Sequence, residues 1–267
     1  MPTNTSTTVE GPLVDTRWLS EHLDDPTVRT VEVDVSGALY AQGHLPGAVL
    51  WNAYADLRHP DYKPVGAREL EKLLERYGVR PATTLAFYGY AAHLGYWLAR
   101  AHGHERAVFL DAPREQWTGP WSIETPTFEP TRYRLGPAET LVKRDALLEW
   151  SGVVLDVRTE AEYRGERFWP SGAPEERGRP GRIPGALNLP ISELRTDTGF
   201  RPLSEMRSTL RRHEITPEQP VVTYCTIGNR ASQAWYALTH LLGFKDVAVY
   251  YGGWAEWGTD PTLPVER

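Results

Sequence analysis

"VVTYCTIGNRASQAWYALTHLLG", Val221 to Gly243, changes period within one run. Its first four residues are β-branched or aromatic, as in a strand. After Cys225 comes a short turn, "TIGNR", and then "ASQAWYALTHLLG", which reads as a helix closed by Gly243. A strand that runs straight into a helix is half of a βαβ unit. It calls for an α/β fold whose mainly parallel sheet is covered by helices on both faces. Cys225, the only cysteine in the chain, stands where the strand ends. That is where ligands gather in open α/β sheets.

The same order occurs twice. "LVDTRWLSEHLDDPTVRTVEVDVSGALYAQGHLPGAVLWN" begins at Leu13, and "LVKRDALLEWSGVVLDVRTEAEYRG", continuing to "RIPGALNLP", begins at Leu141. Each runs from a short amphipathic helix into a strand ending in Asp, then a turn, then "HLPGA" or "RIPGA". Each continues with a strand ("TTLAFYGY", "QPVVTYC"), a helix ("AAHLGYWLARAHG", "ASQAWYALTHLLG") and a last strand ("RAVFLD", "DVAVYY"). The Pro-rich polar stretch between them marks a linker over 125–139. Residues 1–124 and 140–267 are then two domains, as the chain length of 267 residues also suggests.

The copies differ where chemistry would sit. The first has "FYGYAAHLG" in place of "TYCTIGNRASQ", and Ser36 after "VDV" where the second has Arg158 after "LDV". The active site therefore belongs to the second copy, and the first serves as a packing partner or wall. The second copy also carries an insertion, "GERFWPSGAPEERGRPG" (165–181), expected to be a surface loop near the rim of the site.

Composition narrows the classes. Net charge is −6 with no basic stripe, which argues against nucleic acid as a partner. No apolar run is long enough to span a bilayer. "MPTNTSTTVEGP" lacks the basic and apolar regions of a signal peptide, so the expected location is cytoplasmic. One cysteine excludes an intramolecular disulfide and a Cys-rich zinc site. Ten Trp and thirteen Tyr point to aromatic cores or a lined pocket.

The turn after Cys225 brings backbone N–H groups and a helix N-terminus toward the sulfur, with Gly228 allowing a tight path. Such a setting favours the thiolate and stabilises anionic adducts on it. Cys225 is then expected at the floor of a pocket between the domains. The alternative, an inert buried cysteine, would leave it without one.

The tandem repeat, the paired "GHLPGA" and "GRIPGA", the strand end "LDVRTEAEY", the loop "CTIGNRAS" and the closing "YYGGWAEW" together resemble a two-domain rhodanese sulfurtransferase. The resemblance covers nearly the whole chain. It implies a catalytically inactive N-terminal domain, a catalytic C-terminal one, and a sulfane sulfur carried as a persulfide on Cys225. The loop backbone of Thr226, Ile227, Gly228, Asn229 and Arg230 would cradle that sulfur. Arg158 matches a position that binds the anionic substrate in related enzymes; otherwise it pairs with Glu160 or Glu162. Arg230 either faces substrate or pairs inward with a carboxylate such as Asp156. No metal or organic cofactor is implied. The implied donor is thiosulfate and the acceptor cyanide, a cellular thiol or a thioredoxin-like protein, with 3-mercaptopyruvate and glutathione persulfide as alternative donors. A monomer or weak dimer is expected.

Two rival readings differ in class. A cysteine phosphatase or arsenate reductase also pairs Cys with Arg, but in a loop one residue longer. Here four residues separate Cys225 from Arg230. A sulfur carrier would hand its persulfide to a specific protein. Elsewhere, "HGHER" (His102 to Arg106) reads as a polar turn and "HLPGA" and "RIPGA" as turns. Trp254 and Trp257 read as packing residues, with Trp254 a possible pocket wall. Trp235 and Tyr236 read as core, and "ELEKLLERYG" (Glu69 to Gly78) as an amphipathic helix with a solvated charged face.

Overall fold

The computed structural model describes residues 12–267, so most of "MPTNTSTTVEGP" lies outside the described residues. Twelve strands are present among them: β1 Leu13–Val14, β2 Val28–Asp34, β3 Val49–Asn52, β4 Thr84–Tyr88, β5 Ala107–Leu110, β6 Leu141–Val142, β7 Val153–Asp156, β8 Leu187–Asn188, β9 Arg195–Thr196, β10 Gly199–Phe200, β11 Val221–Tyr224 and β12 Val247–Tyr250. They form two five-stranded sheets with matching orders, β1-β5-β4-β2-β3 and β6-β12-β11-β7-β8. Every pairing in both sheets is parallel. A small antiparallel ribbon, β9–β10, stands apart. The repeat read from the sequence is thus a repeat of architecture.

β11 is central, and all four of its residues are buried, as expected of a strand covered on both faces. Its neighbours are β7 and β12, in a register that sets Tyr224 opposite Asp156. The chain leaves β7 toward β8 and leaves β11 toward β12, in opposite directions. The carboxyl ends of β7 and β11 therefore flank a topological switch point, where such sheets open a crevice.

The helix after β11 begins at Asn229, two residues before the expected start, and runs to Tyr236. A π-type turn, Ala237–Leu241, completes the "ASQAWYALTHLLG" segment. This helix packs against its counterpart Ala92–Ala101. One apolar cluster runs through both halves, from Val31, Trp51 and Phe87 to Val221, Trp235 and Val249. Trp97 stacks on Tyr251 with centroids 5.2 Å apart, and Tyr96 meets the edge of Tyr236. Many of the aromatics are therefore interface core. Such a contact holds the two sheets as a unit better than a polar interface would.

The segment 125–139 has no helix or strand. It is held against the first half by the helix Ala67–Arg76: Glu75 accepts from the Tyr133 N–H, and Glu71 from the Leu135 N–H. The charged face expected of that helix is solvated at Arg68, Glu69, Lys72 and Arg76, and Glu71 is the exception. Glu71 is buried, because orphan amides of the extended segment need an acceptor. "HGHER" is a turn whose histidines bind the same segment, His102 at the Gly136 carbonyl and His104 at the Tyr133 hydroxyl. "HLPGA" and "RIPGA" are turns, closed by Ala48 N–H to Leu45 O and Ala186 N–H to Ile183 O. Each is pinned to a strand-end tyrosine, Leu45 N–H donating to Tyr88 and Ile183 N–H to Tyr224.

Candidate active site

The site is assembled at the end of β11. Cys225 follows Tyr224 directly, and its side chain is only 1% exposed. Gly228 adopts φ +90°, a left-handed conformation that a side chain would resist, and its N–H donates to Cys225 Sγ at 3.1 Å. A Cβ at this position would lie 2.6 Å from the Tyr251 ring.

Three successive carbonyls of the loop accept hydrogen bonds from groups outside it. The Cys225 oxygen accepts from Trp254 N–H at 2.8 Å and the Thr226 oxygen from Ala255 N–H at 2.9 Å. Gly253 makes this possible: at φ +56° it brings the Gly253–Trp257 helix so close that a Cβ would sit 2.5 Å from the Cys225 oxygen. The Ile227 oxygen accepts from Arg58 Nη2 at 3.0 Å. With three successive acceptors occupied elsewhere, the loop offers the sulfur a donor, the Gly228 N–H, rather than lone pairs. This is the polarity an anionic sulfur needs. Trp254 is fully buried and does not line the cavity, so "GGWAEW" acts through its backbone.

A cavity of about 450 Å³ opens over Cys225. Thr226, Ile227, Asn229 and Arg230 line it from the loop, and Trp169, Pro170 and Ser171 from the 165–181 insertion. The first half supplies the facing wall, including Tyr54, Arg58 and Tyr90. Cys225 thus lies at the floor of an inter-domain pocket with the insertion on its rim, as expected from the sequence.

One arginine departs from its expected place, and a second takes one of the two places open to it. Arg158 does not line this cavity; it is 0% exposed. Its Nε lies 3.0 Å and its Nη2 2.6 Å from Asp156 carboxylate oxygens, and Nη2 also donates to the Gly181 oxygen. Its guanidinium sits over the Trp254 ring at 4.6 Å. The reason is local. The strand end places Asp156 two residues back, and its carboxylate also accepts the Arg158 N–H, folding the side chain inward. Substrate binding by Arg158 is therefore corrected to a buried ion pair, with Asp156 and not Glu160 or Glu162.

Arg230 also turns inward, to Glu162 rather than Asp156. Nη1 and Nη2 reach the two Glu162 oxygens at 2.7 and 2.8 Å, a bidentate pair. Thr226 joins it: its hydroxyl donates to Glu162 and accepts from Arg230. The Thr226 side chain is thereby directed away from Cys225 chemistry. Arg230 still edges the cavity. Burial opposes its charge, but the Glu162 bond and the nearby Cys225 sulfur hold the guanidinium above its ordinary value.

Glu162 was not singled out by sequence as a site residue, yet it anchors the loop. Burial pushes its carboxyl up. The hydrogen bonds and charge of Arg230, with help from Thr159 and Thr226, outweigh that and bring it down to about 2 from 4.5. A carboxylate depressed by folding stabilises fully above its unfolded value, and the contribution is lost as pH falls toward about 2. We expect the urea midpoint of the wild type to drop across this acid window. The drop should be shallower in Glu162→Gln, which is already weaker at pH 7. Urea melts at a series of pH values check this, and parallel slopes would count against it.

Arg58 is the other residue the sequence did not reveal, since it comes from the half without a cysteine. One signal was available: "DLR" (Asp56 to Arg58) and "ELR" (Glu193 to Arg195) stand at matching places in the two copies.

Comparison with known proteins agrees with this architecture. Residues 140–260 match the rhodanese-like domain. The chain is 34% identical to the sulfur carrier protein TtuD of Thermus thermophilus, over 96% of each chain. It is equally similar, over the same shares, to a Haloferax volcanii protein whose name marks it provisionally as a thiosulfate sulfurtransferase. Among solved structures, the anaerobic ergothioneine biosynthesis enzyme from Chlorobium limicola superposes with a TM-score of 0.85 at 25% identity, covering 96% of this chain and 70% of that one. A variant of EanB with ergothioneine covalently linked to a persulfide cysteine superposes at 0.83 with 26% identity, again over 96% and 70%. No helix among the described residues is long and apolar enough to cross a membrane.

Proposed function

The chain belongs to the tandem-domain rhodanese family of sulfurtransferases and sulfur carriers, and on that premise we propose that it moves a sulfane sulfur from thiosulfate through a Cys225 persulfide. The observation that carries this is the Cys225 loop: a lone thiol on a cavity floor, an N–H on its sulfur, and the neighbouring carbonyls tied away. The Cys225 thiolate attacks the outer sulfur of thiosulfate. The S–S bond breaks and sulfite leaves with the bonding pair. The loop backbone from Thr226 to Arg230 holds the outer sulfur, which is anionic at neutral pH. Cyanide or a thiol then attacks that sulfur, and Cys225 is released as the thiolate. With one cysteine in the chain, no intramolecular disulfide can discharge the persulfide first. Turnover is assigned to residues 140–267, joined by 125–139 to the first half.

Similarity to a sulfur carrier supports a second reading for the acceptor, in which a partner protein takes the sulfur. Intact mass after thiosulfate, and again after cyanide, tests the proposal. We expect a gain of one sulfur atom that cyanide removes and that Cys225→Ser never acquires. Loading without fast discharge by cyanide or small thiols would favour the carrier reading. No gain with thiosulfate, 3-mercaptopyruvate or glutathione persulfide would overturn sulfur transfer. Aryl phosphate hydrolysis that needs Cys225 would point to a phosphatase instead.

A further inference from the structure

Arg58 is a buried cation without an anion. It is 5% exposed, and its guanidinium donates hydrogen bonds to two carbonyls, Ala53 O from Nη1 and Ile227 O from Nη2, each at 3.0 Å, while lying over the rings of Tyr54 and Tyr251 at 5.3 and 5.6 Å. Its Nε is buried without a hydrogen-bond partner. Among the described residues no carboxylate lies within ion-pair distance of it. A guanidinium stays charged at any working pH, and a buried charge with no counter-charge is costly. The other two arginines of the site, Arg158 and Arg230, are each committed to a carboxylate.

The repeat sharpens the contrast. Arg195, the counterpart of Arg58, crosses the interface the other way, toward the loop of the half without a cysteine. There it meets His93 at 3.1 Å and Asp111 at 3.4 Å. The crossing arginine that faces the cysteine-free loop is thus neutralised. The one that faces Cys225 is not.

We propose that Arg58 binds the anionic end of the sulfur donor. The ligand class is a small oxyanion, sulfonate-like or carboxylate, attached next to the sulfur that Cys225 attacks. Two of the five guanidinium N–H bonds are used, so donors remain while the Ile227 contact persists. The donor's identity rests on the sulfur-transfer reading; the anion site does not. The half without a cysteine then supplies a substrate contact and is more than a wall.

The test separates the two ideas by alkylating Cys225 with iodoacetate, which is anionic, and iodoacetamide, which is neutral. The ratio of their rates, set against the same ratio for glutathione, reads anion preference with no sulfur donor present. In the wild type the ratio should exceed that of glutathione about 10- to 100-fold, as charge-assisted hydrogen bonds allow. Arg58→Met should return it to the free-thiol value, and Arg58→Lys should keep part of it. A loop merely disordered by the substitution would slow both reagents together, and an unmoved ratio overturns the proposal. So does a wild-type ratio no higher than glutathione's. In thiosulfate turnover, Arg58→Met should raise KM about 10- to 100-fold with a much smaller change in kcat. A wild-type enzyme that prefers iodoacetate yet refuses thiosulfate would sink the donor while keeping the site.

Discussion

Asp156→Asn is expected to lower stability by about 3–5 kcal/mol, because it strands Arg158 as a buried charge with no partner. For a chain of this size the shift in Tm is roughly 6–20 °C. Asp156 also accepts from the Tyr224 hydroxyl and from the Arg158 N–H. The substitution therefore loosens the junction of β7 and β11 from which the catalytic loop departs. Thermal and urea melts measure the loss. An unchanged urea midpoint would mean that the pair is not formed, and would return Arg158 to the list of substrate contacts. Arg158→Met gives the complementary result. It should also be destabilised, by leaving Asp156 unpaired, but its KM for thiosulfate should be unaltered when rates are normalised to folded protein. A raised KM would revive the role first expected for Arg158.

The fate of the three arginines shows which parts of the site were legible in sequence. Periodicity and repeats exposed the fold, because strand and helix patterns are local and occur twice. Cys225 was legible because a single thiol at a strand end has few structural uses. The partners of Arg158 and Arg230 were not. Asp156, Glu160 and Glu162 lie within a few residues of one another, and spacing alone does not say which is turned inward. In the fold, the strand register puts Asp156 beside Tyr224, while the Thr159–Glu162 capping box turns Glu162 toward the loop. Arg58 was further from reach. Its contact with Ile227 spans 169 residues and exists only because the two copies pack face to face. Even the closing "GGWAEW" was read for its tryptophans, when it is the amides of Trp254 and Ala255 that act on the loop.

Those amides, Arg58 and Gly228 converge on one requirement, that the backbone around Cys225 present an N–H and not a carbonyl to the sulfur. Gly228→Ala should show how much this is worth. An alanine disfavours φ +90°, and its Cβ would meet the Tyr251 ring, which is itself held by stacking on Trp97. The loop must rotate, and the N–H now 3.1 Å from Sγ is carried off the sulfur. Removing one donor from an anion-stabilising site lowers turnover by about 10²- to 10³-fold in enzymes generally, and we expect a loss of that order in persulfide formation. Strain and overpacking should cost about 1–3 kcal/mol in addition. Single-turnover loading rates, normalised to the folded fraction from urea melts, separate the two effects. Gly228→Ala that is less stable but loads sulfur at the wild-type rate would show that the backbone donor is dispensable. Combining Gly228→Ala with Arg58→Met tests how the two groups divide the work. If the backbone donor acts on the sulfur and Arg58 on the anionic end of the donor molecule, the losses in loading should be close to multiplicative; losses that are less than multiplicative would mean that both act on one group.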